Sequence, residues 1–123
     1  MSAEDLEVAQ QFLDALAVAA KTGHRDVIHP LLASDVQWVT PKRDLRGIDE
    51  VRDQLSWVSP PDNLDLDFNQ PEMTDLGDGR VSADVHEIYR VKGTGEFAYA
   101  RDRRIELTIR DGTVARYEMK IVG

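Results

Sequence analysis

The stretch LLASDVQWVTPKRDLRG, residues 31–47, decides the fold. Its apolar start is typical of a helix end. Residues 35–40 then form a predicted strand with alternate side chains on one face: Val36, Trp38 and Thr40. Pro41 ends that strand, because proline has no N–H to donate to a strand ladder. A loop is predicted next, and Gly47 opens another helix. We expect this strand to enter a cavity whose walls the rest of the chain supplies.

Three helices are predicted around this strand. The first runs from Ala3 to Thr22, since apolar residues recur at helical spacing: Leu6, Leu13, Leu16 and Ala20. The second covers residues 25–33 and is expected to kink at Pro30, which removes one backbone donor. The third follows Gly47, buries Ile48, Val51, Leu55 and Val58, and ends at the two prolines after Ser59.

From residue 64 onward the apolar residues alternate at a period of two, which is typical of strands. One strand face is predicted to carry Val81, Ala83, Val85, Glu87, Tyr89 and Val91. The next long strand, residues 96–110, carries another such set: Phe97, Tyr99, Arg101, Arg103, Ile105, Leu107 and Ile109. Asp111-Gly112 is a strong hairpin signal and turns the chain back along residues 114–122. Helices first and a meander last predict an α+β domain.

The composition limits the function. A chain of 123 residues with 41% hydrophobic content fits a single domain over residues 1–123. The net charge of −8 argues against nucleic acid, which needs a basic face. No apolar run could span a bilayer and no leader is seen at Met1, so no membrane partner and a cytoplasmic location are expected. With no cysteine, and no two histidines at ligand spacing with a carboxylate, no metal site is predicted.

This element order resembles the SnoaL-like and nuclear transport factor 2-like superfamily. The similarity rests on LLASDVQWVTP, on Gly47, and on the final hairpin RIELTIRDGTVARYEMKI. It implies a cystatin-like, cone-shaped barrel, in which three N-terminal helices pack on a strongly curved antiparallel sheet around an apolar cavity. The superfamily includes ketosteroid isomerases, limonene epoxide hydrolases, polyketide cyclases and non-catalytic dimerising domains. Fold alone therefore leaves the chemistry open.

The chain resembles ketosteroid isomerase in the order of its elements but lacks the catalytic residues of that family. Thr40 stands where that family carries its general base, and Leu16 stands at the position of its tyrosine donor. The acid position falls at Ile105 or Glu106, depending on the hairpin register. A threonine hydroxyl cannot abstract a proton at neutral pH. The Asp-Arg-Asp set with which limonene epoxide hydrolases activate water is also missing, because Met119 stands at the position of its last Asp.

Alternation places Glu87 on an interior face, where a buried carboxylate must be paired, neutralised or hydrated. Arg101 is the predicted partner, and the pair could polarise a carbonyl or bind an acid. In the alternative, a bulge near residues 101–104 reverses the facing and leaves a partly exposed structural ion pair.

Three aromatic residues could line the cavity beside Glu87. Trp38 offers a broad face to ring-shaped ligands, or simply packs in a wall. Tyr89 and Tyr99 could donate hydrogen bonds to a ligand, or form only a cross-strand aromatic contact. With Thr40 and Leu16 they complete the predicted ligand-binding set.

Two functional hypotheses follow. In the first, the domain binds a small, largely apolar or cyclic molecule in the cavity and, if it is catalytic, uses cofactor-free acid–base chemistry of an isomerase, cyclase or hydrolase type. Glu87 and Arg101 are then the catalytic residues. In the second, the domain is a non-catalytic dimerising or ligand-sensing module. A homodimer through the outer face of the sheet, which carries Asp84, His86 and Ile88, fits either hypothesis.

Overall fold

The structure is a computed structural model that describes residues 2–22, 25–54, 63–68 and 72–122. Helix α1 spans Ser2–Thr22, two 3₁₀ turns follow at Arg25–Val27 and His29–Leu31, and helix α2 spans Ile48–Gln54. The strands are β1 Leu32–Thr40, β2 Arg43–Arg46, β3 Leu64–Phe68, β4 Glu72–Gly77, β5 Arg80–Val91, β6 Phe97–Arg110 and β7 Thr113–Ile121. The α+β prediction is confirmed.

The strands form one curled, mixed sheet in the order β2-β1-β7-β6-β5-β3. Strand β4 lies on the same edge as β3, because β3 pairs with residues 87–91 of β5 and β4 pairs with residues 80–84. The prediction of a wholly antiparallel sheet is wrong, since β1 and β7 run parallel. A parallel contact between strands far apart in the chain leaves no local turn signal.

The prediction of three N-terminal helices is also wrong, because the described residues contain two α-helices. Where the second helix was expected, two short 3₁₀ turns form and β1 begins already at Leu32, whose backbone is extended. Pro30 accounts for the difference, since its ring blocks the preceding turn of an α-helix and its nitrogen donates no hydrogen bond. The predicted continuation of the third helix to Leu55 and Val58, and its proline stop, lie outside the described residues.

The predicted loop after Pro41 is instead the turn of a hairpin. Thr40 pairs with Arg43 and Trp38 with Leu45, so β2 extends the sheet beyond β1. Gly47 then makes the bend into α2 at a φ of +88°, and its N–H donates to the carbonyl of Val36 at 2.8 Å. Gly47 opens α2 as predicted.

Helix α1 packs on one face of the sheet, called here the inner face. It contributes Ala9, Phe12, Leu13, Leu16 and Ala19 to the core. Phe12 contacts Trp38, with ring centroids 6.0 Å apart, and Trp38 stacks on Tyr117 of the neighbouring strand at 3.8 Å. The opposite, outer face carries mostly charged residues. In the part of the chain described, no helix has the length and apolar character needed to cross a bilayer.

Candidate active site

A buried ion pair is the main polar feature of the inner face. Glu87, on β5, is 8% exposed among apolar neighbours. The Nε–H of Arg103, on β6, donates a hydrogen bond to Oε1 of Glu87. The guanidinium also donates through Nη1 to the Met119 sulfur at 3.2 Å. Charges removed from water are tolerated when paired and hydrogen-bonded, so the pair explains how Glu87 can lie inside.

The prediction that Arg101 pairs with Glu87 is wrong. Arg101 lies directly opposite Glu87 in the β5–β6 register, whereas Arg103 lies opposite Val85. The contact is therefore diagonal, within reach of a long arginine side chain. Arg103 sits towards the covered part of the sheet and is largely buried, while Arg101 is exposed. Glu87 therefore pairs with the more buried arginine, Arg103, and not with Arg101, which lies directly opposite it in the register.

The alternative of a bulge at residues 101–104 is also wrong. The register shift of β6 against β5 falls between Tyr89 and Arg90, opposite residues 97–99. Arg101 and Arg103 therefore keep the inner-face positions that alternation predicts. Phe97 does not, because the shift places it opposite Arg90, an outer-face residue.

Two tyrosines stack next to the ion pair. Tyr89 and Tyr99 lie opposite each other on β5 and β6, with ring centroids 4.5 Å apart and an angle of 22° between the planes. The Tyr89 hydroxyl donates to Oε1 of Glu87 at 3.4 Å, close to the limit for a hydrogen bond. The Arg101 guanidinium lies over the Tyr99 ring, 5.2 Å from its centroid. The predicted cross-strand tyrosine contact is confirmed.

Burial and nearby charge keep the hydroxyls of Tyr89 and Tyr117 protonated. Burial raises the pKa of Tyr89, and the nearby Glu87 carboxylate raises it further. Burial also raises the pKa of Tyr117 well above its ordinary range. Burial, the largest single influence, lowers the pKa of Arg103, but the charge of Glu87, its hydrogen bond and the nearby tyrosines together leave that pKa raised. At neutral pH Arg103 is thus a cation, and the hydroxyls of Tyr89 and Tyr117 are neutral.

The other predicted ligand residues lie away from this pair. Trp38 is fully buried and one of its faces is covered by Tyr117, which fits the wall-packing interpretation. Leu16 is buried in the helix core. Thr40 ends β1 and is half-buried, paired with Arg43. The structure therefore brings together Glu87, Tyr89, Tyr99 and Arg101.

Sequence reasoning missed Arg103 and Met119 as members of the cluster. Arg103 was placed on the correct face, two residues from the predicted partner. The signal that favours it is its position next to the apolar inner-face residues of β6, which begin at Ile105, because an arginine beside buried residues is closer to a buried carboxylate than one further out. Met119 lies opposite Ile105 and supplies only a weak sulfur acceptor.

A second polar cluster lies on the outer face. His86 Nδ1 and Asp102 Oδ1 are 2.6 Å apart, and Arg104 donates to Asp84 at 2.9 Å. They line a groove of about 440 Å³ that Val122 also borders. His86 points away from Glu87 as predicted. The described residues hold no group of three or more carboxylates and histidines able to bind a metal ion.

Comparison with known proteins places the fold. No family model matches the sequence, and no curated protein matches it. A nuclear transport factor 2-like protein from Anabaena variabilis superposes over 99% of this chain and 92% of its own, with a TM-score of 0.80 at 14% identity. The chain has the nuclear transport factor 2-like fold. At the level of the fold, the resemblance stated from the sequence is confirmed.

Other structures with the nuclear transport factor 2-like fold carry different functional names. A candidate isomerase from Bacillus subtilis matches 96% of this chain and 88% of its own, at 17% identity and a TM-score of 0.75. A candidate polyketide cyclase from Xanthomonas campestris matches 94% and 90%, at 18% identity and a TM-score of 0.68. At this identity the similarity concerns the fold, so chemistry must be argued from the residues of this chain.

Proposed function

We propose that this domain binds a small, largely apolar cyclic molecule with a carbonyl group, in a cavity against the inner face, and transfers a proton on it without a cofactor. The observation that carries the proposal is the buried Glu87–Arg103 pair beside the Tyr89 hydroxyl. Ligand sites are mostly apolar with few convergent polar groups. The names of the similar structures, isomerase and cyclase, are consistent with such chemistry.

Glu87 is the proposed proton acceptor. Arg103 and Tyr89 both donate to its Oε1, and within the described residues no hydrogen bond is made to Oε2. Oε2 is therefore the oxygen proposed to take a proton from the carbon next to the ligand carbonyl. Arg103 compensates the charge of Glu87 and fixes its rotamer, so it is a positioning residue.

The Tyr89 hydroxyl is the proposed hydrogen-bond donor to the oxygen on which charge develops. It remains protonated at neutral pH because its pKa is raised. Its bond to Glu87 is long, so turning towards a ligand oxygen sacrifices little. Proton transfer from carbon to Glu87, with the Tyr89 hydroxyl hydrogen-bonded to the oxygen, gives an enolate, the intermediate common to isomerisation and aldol-type cyclisation.

The test needs no knowledge of the substrate. Cyclic ketones are incubated with the protein in D₂O, and NMR follows deuterium exchange next to the carbonyl. Wild type should accelerate exchange of at least one ketone, and Glu87→Gln should lower that acceleration by about 10²–10⁴-fold. Glu106→Gln, which alters a β6 outer-face carboxylate paired with Arg80, is the control. If wild type accelerated the exchange of none of the ketones, the proposed proton transfer would be refuted.

A second candidate function, a dimerising module, is favoured by an apolar patch on the outer face. Ile88 lies opposite Ala100, and Phe97, which is 62% exposed, lies opposite Arg90 beside them. We propose that a second copy of the chain covers this patch. Sedimentation should then give twice the 13.9 kDa chain mass, and Phe97→Asp should give a monomer. Val18→Asp, on the exposed side of α1, should remain dimeric; a monomeric wild type would contradict the dimer.

A further inference from the structure

The inner face carries one more positive charge than its ion pair requires. Glu87 neutralises Arg103, and Arg101 lies on the same face two residues along β6. Within the residues that the structure describes, no carboxylate lies within ion-pair distance of the Arg101 guanidinium. The inner face around Glu87 is thus locally cationic, although the whole chain has a net charge of −8.

The Arg101 guanidinium lies over the ring of Tyr99, which is part of an aromatic stack. Tyr89 stacks on Tyr99, and the guanidinium covers the Tyr99 ring. Stacking of this kind fixes a planar guanidinium without using its N–H groups, which stay available to an acceptor. The stack also ends at the Tyr89 hydroxyl beside Glu87, so Arg101 belongs to the same site.

Arginine presents a fork of donors whose geometry matches a carboxylate, and the two can form parallel hydrogen bonds. Tyrosine rings next to that fork suit a flat, apolar ligand body. We propose, resting on the ligand site proposed above, that Arg101 is a specificity-determining residue that selects flat ring compounds bearing a carboxylate. Glu87 does not compete for this fork, because Arg103 already compensates its charge.

The experiment compares two probes of the same shape and different charge, 1-naphthoate and 1-naphthamide. Each is titrated into labelled protein, and the backbone amide shifts of Tyr89 and Tyr99 give both the location and the dissociation constant. Wild type should bind naphthoate about tenfold more tightly, the scale of one charge-assisted contact at a partly exposed site. Arg101→Gln should bring the ratio of the two constants close to one, while naphthamide binds within about twofold of wild type.

Two further variants separate charge from position. Arg104→Gln, on the outer face of the same strand, should keep the wild-type ratio. Arg101→Lys should keep part of the preference, because it retains the charge and loses the fork. All variants should fold, since both arginines are exposed.

Equal binding of the two probes to wild type, or a preference that survives Arg101→Gln, would overturn the role of Arg101. In either case shifts at Tyr89 and Tyr99 would still support a ligand site on the inner face. Failure of both probes to shift these amides at millimolar concentration would overturn the carboxylate class. The deuterium-exchange assay with neutral ketones judges the proposed function separately.

Discussion

Arg103 is the residue on which the charge balance of the inner face depends. Replacing it by alanine leaves the Glu87 carboxylate buried without its counter-ion, which we expect to cost about 3–5 kcal/mol of unfolding free energy. Urea denaturation measures this loss. The matched control is Arg101→Ala, which removes an exposed guanidinium on the same face and should cost less than about 1 kcal/mol. Similar losses for both variants would contradict the assignment of the pair.

The double variant Glu87→Gln/Arg103→Met tests whether the pair serves stability. Removing both charges leaves no uncompensated ion, so the double variant should be about as stable as wild type or more stable. If it nevertheless loses deuterium exchange, the pair is retained for function. A double variant as unstable as Arg103→Ala would instead mean that the pair supports the fold.

The raised pKa of Tyr117 should make the free energy of unfolding fall at alkaline pH. Its folded-state pKa lies above the ordinary value of 10.0, so its contribution is present below pH 10 and is lost as the pH rises from there towards the folded pKa. Each such tyrosine should lower stability by up to about 1.4 kcal/mol per pH unit above 10. Tyr117→Phe should reduce this slope in urea titrations between pH 9 and 11, to the residual part contributed by Tyr89. An unchanged slope in Tyr117→Phe would contradict the proposed contribution of Tyr117 to the loss of stability at alkaline pH.

At the scale of the elements, one glycine of the β4–β5 turn lies against the backbone of β6. Gly79 has a φ of +77°, and a Cβ there would lie 2.5 Å from the carbonyl oxygen of Ile109. Gly112 has the same φ with no atom within 4 Å of such a Cβ. Gly112→Ala should therefore cost about 1–2 kcal/mol from backbone conformation alone. Gly79→Ala should cost clearly more in the same thermal or urea unfolding series; equal costs would refute the clash.

The sequence predicts those elements whose signals are local. Apolar spacing predicts α1, the Asp111-Gly112 pair predicts the β6–β7 hairpin, and alternation identifies the inner face of β5. It fails where the deciding contact is distant or the turn has no strong signal. The parallel β1–β7 pair joins segments far apart in the chain, and the β1–β2 hairpin turns at Pro41-Lys42, which lacks the Asn-Gly or Asp-Gly pair typical of such turns.

The candidate site follows the same division. Glu87, Tyr89, Tyr99 and Arg101 could be placed on one face from alternation alone. The choice of Arg103 over Arg101 could not, because it depends on how far along β6 the core covers the strand. The bulge position also escaped prediction, since one extra residue at 97–99 leaves no distinct composition.

At the scale of the whole molecule, the β1–β7 contact joins the first and last strands of the sheet. Trp38 and Tyr117 pair across it and are both buried with Phe12 of α1. The N-terminal helix, the first strand and the last strand should therefore open together. Strand β4, by contrast, lies at the edge, pairs only with β5 among the described strands and is mostly exposed.

Native-state hydrogen exchange tests this coupling. The hydrogen-bonded amides of β1 and β7 should share one opening free energy, equal to that of global unfolding, because neither strand can leave without exposing the Trp38–Tyr117 stack. The amides of β4 should exchange through a smaller opening that leaves β5 and β6 protected. Trp38→Phe, which shrinks the stack, should lower the β1 and β7 values equally and leave the β4 value unchanged. If the amides of β1 alone lost protection from exchange, β1 would open independently of β7, and the parallel β1–β7 contact would not belong to the cooperative core.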